Sequence, residues 1–470
     1  MATRISTGRP MLEEAAVQEF AQSLRGTVIR RGDPGYDESR KVYNAMIDKH
    51  PELIVRCANV RDVISSVNFA RENGLLLAIR SGGHNGPGLG TCDDGLVIDL
   101  SPMKGIRVDQ VNRTARVETG CTLGDVHHAT DAFGLATPSG IISTTGVGGI
   151  TLGGGVGHLT RTYGLAIDNV LEFDVVLADG RYVTANADQN ADLFWALRGG
   201  GGNFGIVTSI LFRLHPVNTL YAGPMLWHVD RAGDVLRWYR EYITNAPDNV
   251  NGFFAFLRVP PGDPFPSELH NKPMCGVIWC YAGPMESADE VFAPIRARFG
   301  PPALDWVGPI SNSALNSMFD GIYPPGDQWY WKADFVNELS DDAIEQHVAH
   351  GSDLPTFKST MHLYPIDGAA SRVGSDDTPW AYRDSKWAEV IVGVSSDPAD
   401  AQKITEWARA YWNAMHPHSA GGAYVNFMME EGDDRIRATY GPHYDRLGAI
   451  KATYDPGNLF RVNQNIAPRS

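Results

Sequence analysis

Apolar positions along the first 215 residues recur with two periods, one helical and one typical of strands. Residues 62–74, DVISSVNFARENG, place apolar side chains at helical spacing and end at Gly74, and LLLAIR follows as a strand. Residues 122–134, TLGDVHHATDAFG, predict a second, capped helix. A third helix is predicted at 191–199, and short strands are predicted at 95–100, 105–109, 114–120 and 172–180. This alternation predicts a mixed α and β domain.

The pattern changes after about Pro216. Prolines and tryptophans become more frequent, the glycine clusters end, and longer segments such as MCGVIWCYAG and EVIVGV predict antiparallel strands flanked by helices at 341–350 and 400–414. The C-terminal segment then returns to glycine- and asparagine-rich sequence. Because 470 residues exceed the usual size of one core, two domains are expected. We predict a discontinuous first domain, residues 1–216 and 421–470, and an inserted second domain, residues 217–420.

Charge and cysteine content narrow the possible functions. A formal net charge of −15 argues against nucleic acid or an anionic membrane as the main partner. The five cysteines lack the spacing of a zinc site, so no metal is predicted and a reducing compartment is favoured. The N-terminal sequence has no apolar signal region, and no run of about 18 apolar residues occurs, which together predict a cytoplasmic protein. The oligomeric state is left open.

Many of the 50 glycines lie in three segments, 82–90, 140–157 and 199–205. The second segment contains GxGxxG-like strings, but the spacing does not fit the strand, turn and helix of a dinucleotide-binding unit. Three glycine loops in one half of the chain instead indicate a long diphosphate ligand, held from several sides by backbone N–H groups. Tight turns in a glycine-rich β protein are the alternative.

Four segments carry a family resemblance: RSGGHNGPGLG, GVGGITLGGGVGHLTRTYGLAIDN, LFWALRGGGGNFGIVT and the C-terminal YDPGNLFRVNQNIAP. From about residue 30 to 467 the chain resembles the FAD-linked oxidases of the berberine-bridge-enzyme type, within the vanillyl-alcohol-oxidase and p-cresol-methylhydroxylase superfamily, and among them the bacterial members. The resemblance implies an α+β fold with a two-subdomain, PCMH-type FAD-binding domain and a berberine-bridge-like segment at about 422–467. It also implies a substrate domain whose antiparallel sheet, flanked by helices, covers the isoalloxazine ring.

The resemblance implies that a ring nitrogen of His84 is bonded covalently to the 8α-methyl carbon of FAD, and a neutral imidazole is a suitable nucleophile. Many relatives add a cysteine link to the flavin, but Ile142 occupies that position here, so a single tether is expected. Cys121 is expected to be a small buried residue. A role near the flavin is left open for His158. The other residues expected to bind FAD are Arg80, Ser81, Gly82, Gly83, Asn85, Gly86, Thr144, Thr145, Gly148, Gly149, Gly154, Gly157, Gly202, Asn203, Ile206, Val207, Asn463 and Asn465.

Oxidation at a flavin passes a hydride to N5 while a base removes a proton from the substrate. Glu389 is a candidate base because it shares one strand face with apolar neighbours, which would raise its pKa. Relatives commonly carry a tyrosine base at the position of Phe427. Tyr424 remains three residues earlier, as a candidate for binding the substrate or for holding the loop. His362 is a third candidate for the chemistry, and Lys332 is a candidate for stabilising an oxyanion.

Other positions bear on the shape and chemistry of the cavity. Plant-type relatives carry tyrosines where this chain has Gly86 and Val156, so a roomier cavity is expected here. Thr145 is small at a position where the family controls oxygen access, which favours an oxidase. His127 and His128 lie in mid-helix and are expected to be packing or surface residues.

The sequence therefore predicts an FAD-dependent oxidase with a single 8α-histidyl tether. Its substrate would be a hydroxyl or an activated C–H group of a small natural product, sugar or alcohol, and O₂ would reoxidise the flavin. Two alternatives remain. One is a flavin dehydrogenase that uses an acceptor other than oxygen, and the other is a flavin-binding protein without turnover, because Phe427 replaces the usual base.

Overall fold

The structure, a computed structural model, describes residues 12–469. The first domain begins with a small mixed sheet. The sheet has the order β1-β2-β4-β3, with β1 antiparallel to β2 and the other neighbours parallel. Its strands are β1 (Thr27–Arg30), β2 (Leu53–Arg56), β3 (Leu77–Arg80) and β4 (Leu96–Asp99). The accompanying helices are α1 (Glu14–Ser23), α2 (Tyr36–Arg40) and α3 (Val60–Glu72).

The predicted helix and strand at 62–80 are confirmed, and the helix starts two residues earlier, at Val60. Its N-terminal cap is Asn59, whose side-chain oxygen accepts a hydrogen bond from the Asp62 N–H. The short β3 strand delivers the chain directly into the first glycine loop at residue 81. That loop therefore starts at the carboxyl end of a buried strand.

An antiparallel sheet of five strands completes the first domain, in the order β5-β6-β10-β8-β9. A separate two-stranded pair, β7 and β11, lies beside it. The strands are β5 (Ile106–Asp109), β6 (Thr114–Glu118), β7 (Leu135–Ala136), β8 (Val170–Val176), β9 (Tyr182–Asn186), β10 (Ile206–Arg213) and β11 (His215–Pro216). The helices are α4 (Leu123–Asp131), α5 (Val147–Leu152), α6 (Thr160–Tyr163) and α7 (Ala191–Leu197). The second and third glycine loops lie in the connections of this sheet.

The second domain is built on one antiparallel sheet with the order β15-β12-β14-β13-β18-β19-β17, and β16 also pairs with β12. The strands are β12 (Thr219–His228), β13 (Val250–Arg258), β14 (Pro273–Tyr281), β15 (Leu304–Asp305), β16 (Gly308–Ser311), β17 (Gln328–Val336), β18 (Thr360–Pro365) and β19 (Trp387–Ser395). The helices are α8 (Ala232–Asn245), α9 (Ala288–Arg298), α10 (Asn312–Ser317), α11 (Asp341–Gly351) and α12 (Ala401–Met415).

The two faces of this sheet pack against different partners, which explains why β19 is buried along its whole length. Trp387 and Ile391 belong to the core formed with α8, α11 and α12. Ala388, Val390 and Val392 belong to the core shared with the first domain. The predicted antiparallel sheet flanked by helices is confirmed.

The C-terminal tail forms α13 (Asp433–Tyr440) and α14 (Tyr444–Tyr454) and packs on the first domain. The buried Lys451 ammonium donates hydrogen bonds to the Asn203 carbonyl, at 2.6 Å, and to the Asp455 carboxylate, at 2.7 Å. The Ile466 N–H donates to the Asn203 side chain. These contacts tie the tail to the third glycine loop. The exact domain boundaries at 216 and 420 stay a prediction.

No helix within residues 12–469 is both long enough and apolar enough to cross a membrane.

Candidate active site

A cavity of about 660 Å³ lies between the glycine loops and the inner face of the second-domain sheet. The three glycine loops and the C-terminal tail line one side, and side chains of the large sheet line the other. Most of the predicted site residues line this single cavity: Arg80, Ser81, Gly82, Gly83, His84, Asn85, Thr145, Gly148, Gly149, Gly202, Asn203, Ile206, Val207, His362, Tyr424 and Asn463. The topology therefore brings together residues that are up to 383 positions apart in the chain, from Arg80 to Asn463.

Six predicted cofactor residues lie behind the lining rather than on it: Gly86, Thr144, Gly154, Gly157, His158 and Asn465. Close packing explains the two glycines of the second loop. A Cβ atom on Gly154 would meet the Trp380 ring at 2.3 Å, and one on Gly157 would meet the Ser139 carbonyl oxygen at 1.9 Å. Because these six residues are not part of the lining, their contacts with the cofactor stay a prediction.

Two glycines bring the first and second loops into main-chain contact at the cavity. A Cβ atom on Gly82 would lie 2.2 Å from the Gly146 nitrogen, and one on Gly146 would lie 2.1 Å from the Gly82 nitrogen. No side chain fits between two main chains this close. By contrast, Gly149 and Gly202 line the cavity with no described atom within 4 Å of an added Cβ. These two positions form an open cradle that a side chain would fill.

His84 lies in the first loop and faces the cavity. Its ring stacks on the Tyr43 ring, with centroids 3.8 Å apart and an interplanar angle of 18°. Thr144 Oγ1 lies 3.1 Å from His84 Nε2, and Thr145 Oγ1 lies 3.4 Å from Nδ1. Burial lowers the pKa of His84 to about 4, so the imidazole is neutral near pH 7. A neutral imidazole keeps one nitrogen lone pair available as a nucleophile.

The second domain holds the surroundings of His84 in place. The Ser143 N–H donates to the Asp320 carboxylate at 3.1 Å, and the Ser143 hydroxyl donates to the same carboxylate. The Tyr43 hydroxyl donates to the Tyr323 carbonyl oxygen at 2.6 Å. Residues 320–323 therefore anchor both the stacking partner of His84 and the loop that carries Thr144 and Thr145.

Ile142, at the position where relatives carry the cysteine of a second tether, lines the cavity with an apolar side chain. Cys121 is fully buried and is not part of the lining, and burial raises the pKa of its thiol to about 12. The structure thus shows Cys121 as the small buried residue that the sequence predicts.

The tail offers polar atoms that have no hydrogen-bond partner within residues 12–469. Asn463 donates to the Gly202 and Phe460 carbonyl oxygens at 3.3 and 2.9 Å, while its own buried side-chain oxygen accepts no hydrogen bond from this part of the chain. The hydroxyl of Tyr440, which also lines the cavity, is in the same state. Buried polar atoms without partners are uncommon, and a polar ligand in the cavity would satisfy them. Together with the open glycine cradle, they fit an FAD molecule bound at this side.

Arg80 has a supporting role. Its guanidinium donates to the Ser39 carbonyl oxygen at 2.6 Å and pairs with the buried Asp99 carboxylate at 2.8 Å. These contacts hold the main chain at the start of the first loop.

The substrate side of the cavity contains one polar pair among aromatic rings. His362 and Tyr364 are two residues apart on β18 and both line the cavity, with His362 Nδ1 2.7 Å from the Tyr364 hydroxyl. The Phe253 ring lies 4.8 Å from the His362 ring and 4.7 Å from the Tyr364 ring. Burial lowers the pKa of His362 to about 3 and raises that of Tyr364, so both side chains are uncharged near pH 7. Among the described residues, none hydrogen-bonds to His362 Nε2.

Glu389 does not reach the cavity, and its assignment as the base is wrong. It lies on the helix-facing side of β19, only 2% exposed, with His347 Nε2 of α11 3.9 Å from its carboxylate. Burial raises the pKa of Glu389 well above its usual range, and the nearby Asp334 adds to that effect. The raised pKa is as expected, but the carboxyl group points to the side of the sheet away from the cavity.

Two other candidates are committed to protein contacts. The Tyr424 hydroxyl accepts hydrogen bonds from the Gly155 N–H at 2.9 Å and from Asn426 at 2.7 Å, and burial raises its pKa to about 12. Tyr424 therefore holds the second glycine loop, although its ring lines the cavity. Lys332 pairs with Glu431 at 2.6 Å outside the lining, so it is not placed to stabilise a substrate oxyanion.

The mid-helix histidines are packing and surface residues, as predicted. His127 is buried and lies 2.9 Å from both Ser139 Oγ and Asn312 Nδ2, whereas His128 is exposed. His158 is also buried, its ring is 6.0 Å from the Phe253 ring, and its Nε2 has no hydrogen-bond partner among the described residues.

The cavity is not roomier at Gly86. A Cβ atom on Gly86 would lie 2.2 Å from the Trp331 indole nitrogen, so the Trp331 ring of β17 occupies that space. Val156 and Phe427 do line the cavity. The space freed by a glycine in the first domain is thus taken by a tryptophan in the second, which the local sequence around residue 86 does not reveal.

The part of the lining that the structure describes contains no Asp, Glu or Lys side chain. Besides Arg80, Arg258 is the remaining charged residue, and its guanidinium donates to the Asn271 and Leu354 carbonyl oxygens. The imidazoles of the described lining are those of His84 and His362, and both are neutral near pH 7.

Comparison with known proteins agrees with this geometry. A family model described as an FAD binding domain matches residues 51–186, and one described as berberine and berberine like matches residues 423–467. An FAD-linked oxidoreductase of Dictyostelium discoideum is 33% identical over 455 residues, covering 96% of this chain and 97% of that protein. The (R)-6-hydroxynicotine oxidase of Paenarthrobacter nicotinovorans is 30% identical, covering 95% of this chain and 97% of that protein.

The crystal structure of 6-hydroxy-D-nicotine oxidase from Arthrobacter nicotinovorans has a TM-score of 0.85 and 28% identity, covering 95% of this chain and 98% of that one. The chain belongs to the berberine-bridge-enzyme-like family of FAD-linked oxidoreductases. It is an FAD-linked oxidase, and the predicted family, α+β fold and FAD cofactor are confirmed.

Proposed function

We propose that this oxidase binds FAD covalently through His84 alone and oxidises a hydroxyl or activated C–H group of a small organic substrate, with O₂ as the electron acceptor. The observation that carries the proposal is the state of His84. Its imidazole is neutral, faces the cavity and is held flat by the Tyr43 ring and the Thr144 hydroxyl. Positioning of this kind lowers the entropic cost of forming one covalent bond at a fixed site.

The residues that would hold FAD lie on the first-domain side. Backbone groups of the first and second loops, around Gly82 and Gly149, would receive the pyrophosphate. Asn463 and Tyr440 would give their unpartnered polar atoms to the cofactor. Ile142 supplies no thiolate, which supports one tether rather than two.

The bound flavin supplies the hydride acceptor, and the chain supplies the proton acceptor. His362 lines the cavity, and it takes that role when its Nδ1–H donates to the Tyr364 oxygen, because Nε2 then carries the lone pair. As the substrate hydroxyl loses its proton to Nε2, the imidazolium that forms keeps its hydrogen bond to Tyr364. Phe253 packs against both rings and limits their motion.

Oxygen as the acceptor is supported by the small side chain at Thr145. This residue lines the cavity 3.4 Å from His84 Nδ1, so a small side chain stands next to the residue that would carry the flavin. A larger side chain at this position would leave less room for oxygen.

The covalent tether is tested by acid precipitation of the purified protein. We expect the wild-type pellet to retain a yellow chromophore and the intact protein to carry the mass of one FAD. His84→Ala is expected to lose both signals, while Cys121→Ala, which changes a cysteine outside the lining, keeps them. Covalent flavin in His84→Ala, or its loss in Cys121→Ala, contradicts the assignment.

The reaction is tested by mixing the enzyme anaerobically with a panel of alcohols, phenols and sugars and following bleaching of the flavin absorbance. Reoxidation of the reduced enzyme by O₂ is then measured by stopped flow. A rate well above that of free reduced flavin supports an oxidase, whereas a slower rate favours a different acceptor. Failure of the whole panel to reduce the flavin favours binding without turnover.

A further inference from the structure

The cavity continues beyond His362 along one row of paired residues in the second-domain sheet. His362 pairs with Ala255, Ala255 with Gly276, Gly276 with Leu226, and Leu226 with Leu304. Directly opposed residues of antiparallel strands share one face, so this row runs across the inner face of the sheet. Four strand spacings separate His362 from Leu304, which is about 19 Å.

Ala255 and Gly276, in the middle of this row, do not line the cavity, and the space beside Gly276 is filled by Leu226. Phe253 and Ile278 pair with each other in the neighbouring row and line the cavity, as does Leu257 on the other side of Ala255. The cavity therefore extends alongside this row, as a channel with mostly apolar walls, from the polar pair at His362 to the β12 and β15 edge.

An aromatic and aliphatic cluster closes the far end of the channel. Leu226, Leu304, Phe265 and Trp306 all line the cavity there. The centroids of the Phe265 and Trp306 rings lie 4.9 Å apart, with an interplanar angle of 31°. The backbone N–H of Trp306 donates to the Pro224 carbonyl oxygen at 3.0 Å. Trp306 is 39% exposed, although large apolar side chains are usually covered. An apolar group that enters the channel would cover it.

We propose that the far end of the channel is a second substrate subsite for an apolar, preferably aromatic, group, about 14–19 Å from His362. The substrate of the oxidase is then an elongated, uncharged compound with one oxidisable polar end and an apolar distal end. The inference rests on the proposed function only for the reacting end at His362. The far end, lined by Leu226, Leu304, Phe265 and Trp306, offers few hydrogen-bond partners to the hydroxyl groups of an oligosaccharide.

The subsite is tested by equilibrium dialysis of the oxidised holoenzyme, which measures binding without requiring oxidation. The probes are benzyl alcohol, 4-(benzyloxy)benzyl alcohol, its homologue with a four-carbon spacer between the rings, and cellotetraose. We expect the two-ring probes to bind about tenfold or more tightly than benzyl alcohol, since the second ring buries apolar surface. Cellotetraose is expected to bind no better than benzyl alcohol.

Two variants test whether the second ring of the probes binds at the far end of the channel. Trp306→Ala and Leu304→Asp are expected to remove most of the advantage of the two-ring probes while leaving the affinity for benzyl alcohol and the covalent flavin content unchanged. Phe133→Ala is the matched control, because Phe133 is 44% exposed and lies outside the lining. Equal affinity for one- and two-ring probes, tighter binding of cellotetraose, or no effect of either variant overturns the subsite. If the two-ring probes bind as expected but no alcohol reduces the flavin, the proposed oxidation fails and the subsite stands.

Discussion

The two walls of the cavity are built in different ways. The cofactor wall is mostly main chain, with Gly82 and Gly146 in direct contact and Gly149 and Gly202 open toward the ligand. The substrate wall is mostly side chains, contributed by seven strands of one sheet. A main-chain wall can receive a cofactor shared by a whole family, whereas a side-chain wall can change its specificity by single substitutions. The cofactor wall therefore carries what this chain shares with its family, and the substrate wall carries what determines its own substrate specificity.

The largest expected effect comes from adding a methyl group to the main-chain wall. Gly82→Ala places a Cβ atom 2.2 Å from the Gly146 nitrogen, and neither main chain can move without displacing a loop. We expect a loss of about 3 kcal/mol or more in the free energy of unfolding, or no folded protein. Thermal unfolding and soluble yield measure it.

Gly149→Ala tests flavin binding at the same wall without disturbing the fold. Its Cβ meets no described atom within 4 Å, so the fold is expected to stay intact while flavin content falls. Gly308→Ala, also without a neighbour within 4 Å but outside the cavity, is the control. Full flavin content in Gly149→Ala would show that the cofactor does not approach this glycine.

The next effect concerns the substrate wall. His362→Gln removes the proposed proton acceptor, and anaerobic flavin reduction is expected to slow by about 10²–10⁴-fold. Tyr364→Phe keeps the ring but removes the oxygen that holds His362, so a smaller decrease is expected. Because the pKa of His362 is lowered to about 3, the wild-type rate is expected to show no histidine titration between about pH 5 and 9.

Glu389→Gln is the control for this comparison, since its carboxyl group lies on the far side of the same sheet. Its reduction rate is expected to equal that of the wild type. A large decrease in Glu389→Gln with little change in His362→Gln would reverse the assignment of the two residues.

The contrast between the walls also explains what the sequence could predict. Glycine loops are continuous stretches of sequence, so the family and the FAD cofactor can be predicted from four short segments, while the tether at His84 stays a prediction. The substrate wall takes every second residue from distant strands, and a period of two shows which residues share a face but not which way that face points. For this reason the sequence predicts Glu389 on the cavity side of the sheet, whereas it lies on the side that packs against α11.

Two residues of the substrate wall were missed, for separate reasons. Tyr364 follows His362 at a spacing of two in MHLYP, which was a usable signal that the two side chains share a face. Trp331 fills the space beside Gly86, and the two residues are brought together only by the packing of the domains. No local pattern carries that information, so the prediction of a roomier cavity failed there.

A smaller effect is expected where the two walls are connected. Asp320→Ala removes the carboxylate that holds Ser143, the residue before Thr144, and so loosens the surroundings of His84. We expect the rate of covalent FAD attachment to the apoprotein to fall about tenfold, because hydrogen bonds to a charged group contribute about 1.5–3 kcal/mol. Mass spectrometry over time measures the covalently modified fraction. Asp342→Ala, at an exposed position of α11, is the control. An unchanged rate in Asp320→Ala means that the first domain positions His84 without help from the second.

The smallest expected effect is on the melting temperature, and it comes from a substitution at Glu389, on the face of the sheet that packs against the helices. The pKa of Glu389 is raised in the folded protein by burial, so its carboxyl group ionises at a higher pH there than in the unfolded chain, where it ionises above about pH 4.5. Stability is therefore lost as pH rises above that value, by up to about 1.4 kcal/mol per pH unit, until the folded-state pKa is reached. Glu389→Gln cannot ionise, so its melting temperature is expected to exceed that of the wild type by a few degrees more at pH 8 than at pH 5. Glu345→Gln, at an exposed position of α11, should show no such trend. A constant difference across pH would mean that Glu389 is ionised in the folded protein, and that this face is more polar than its apolar neighbours indicate.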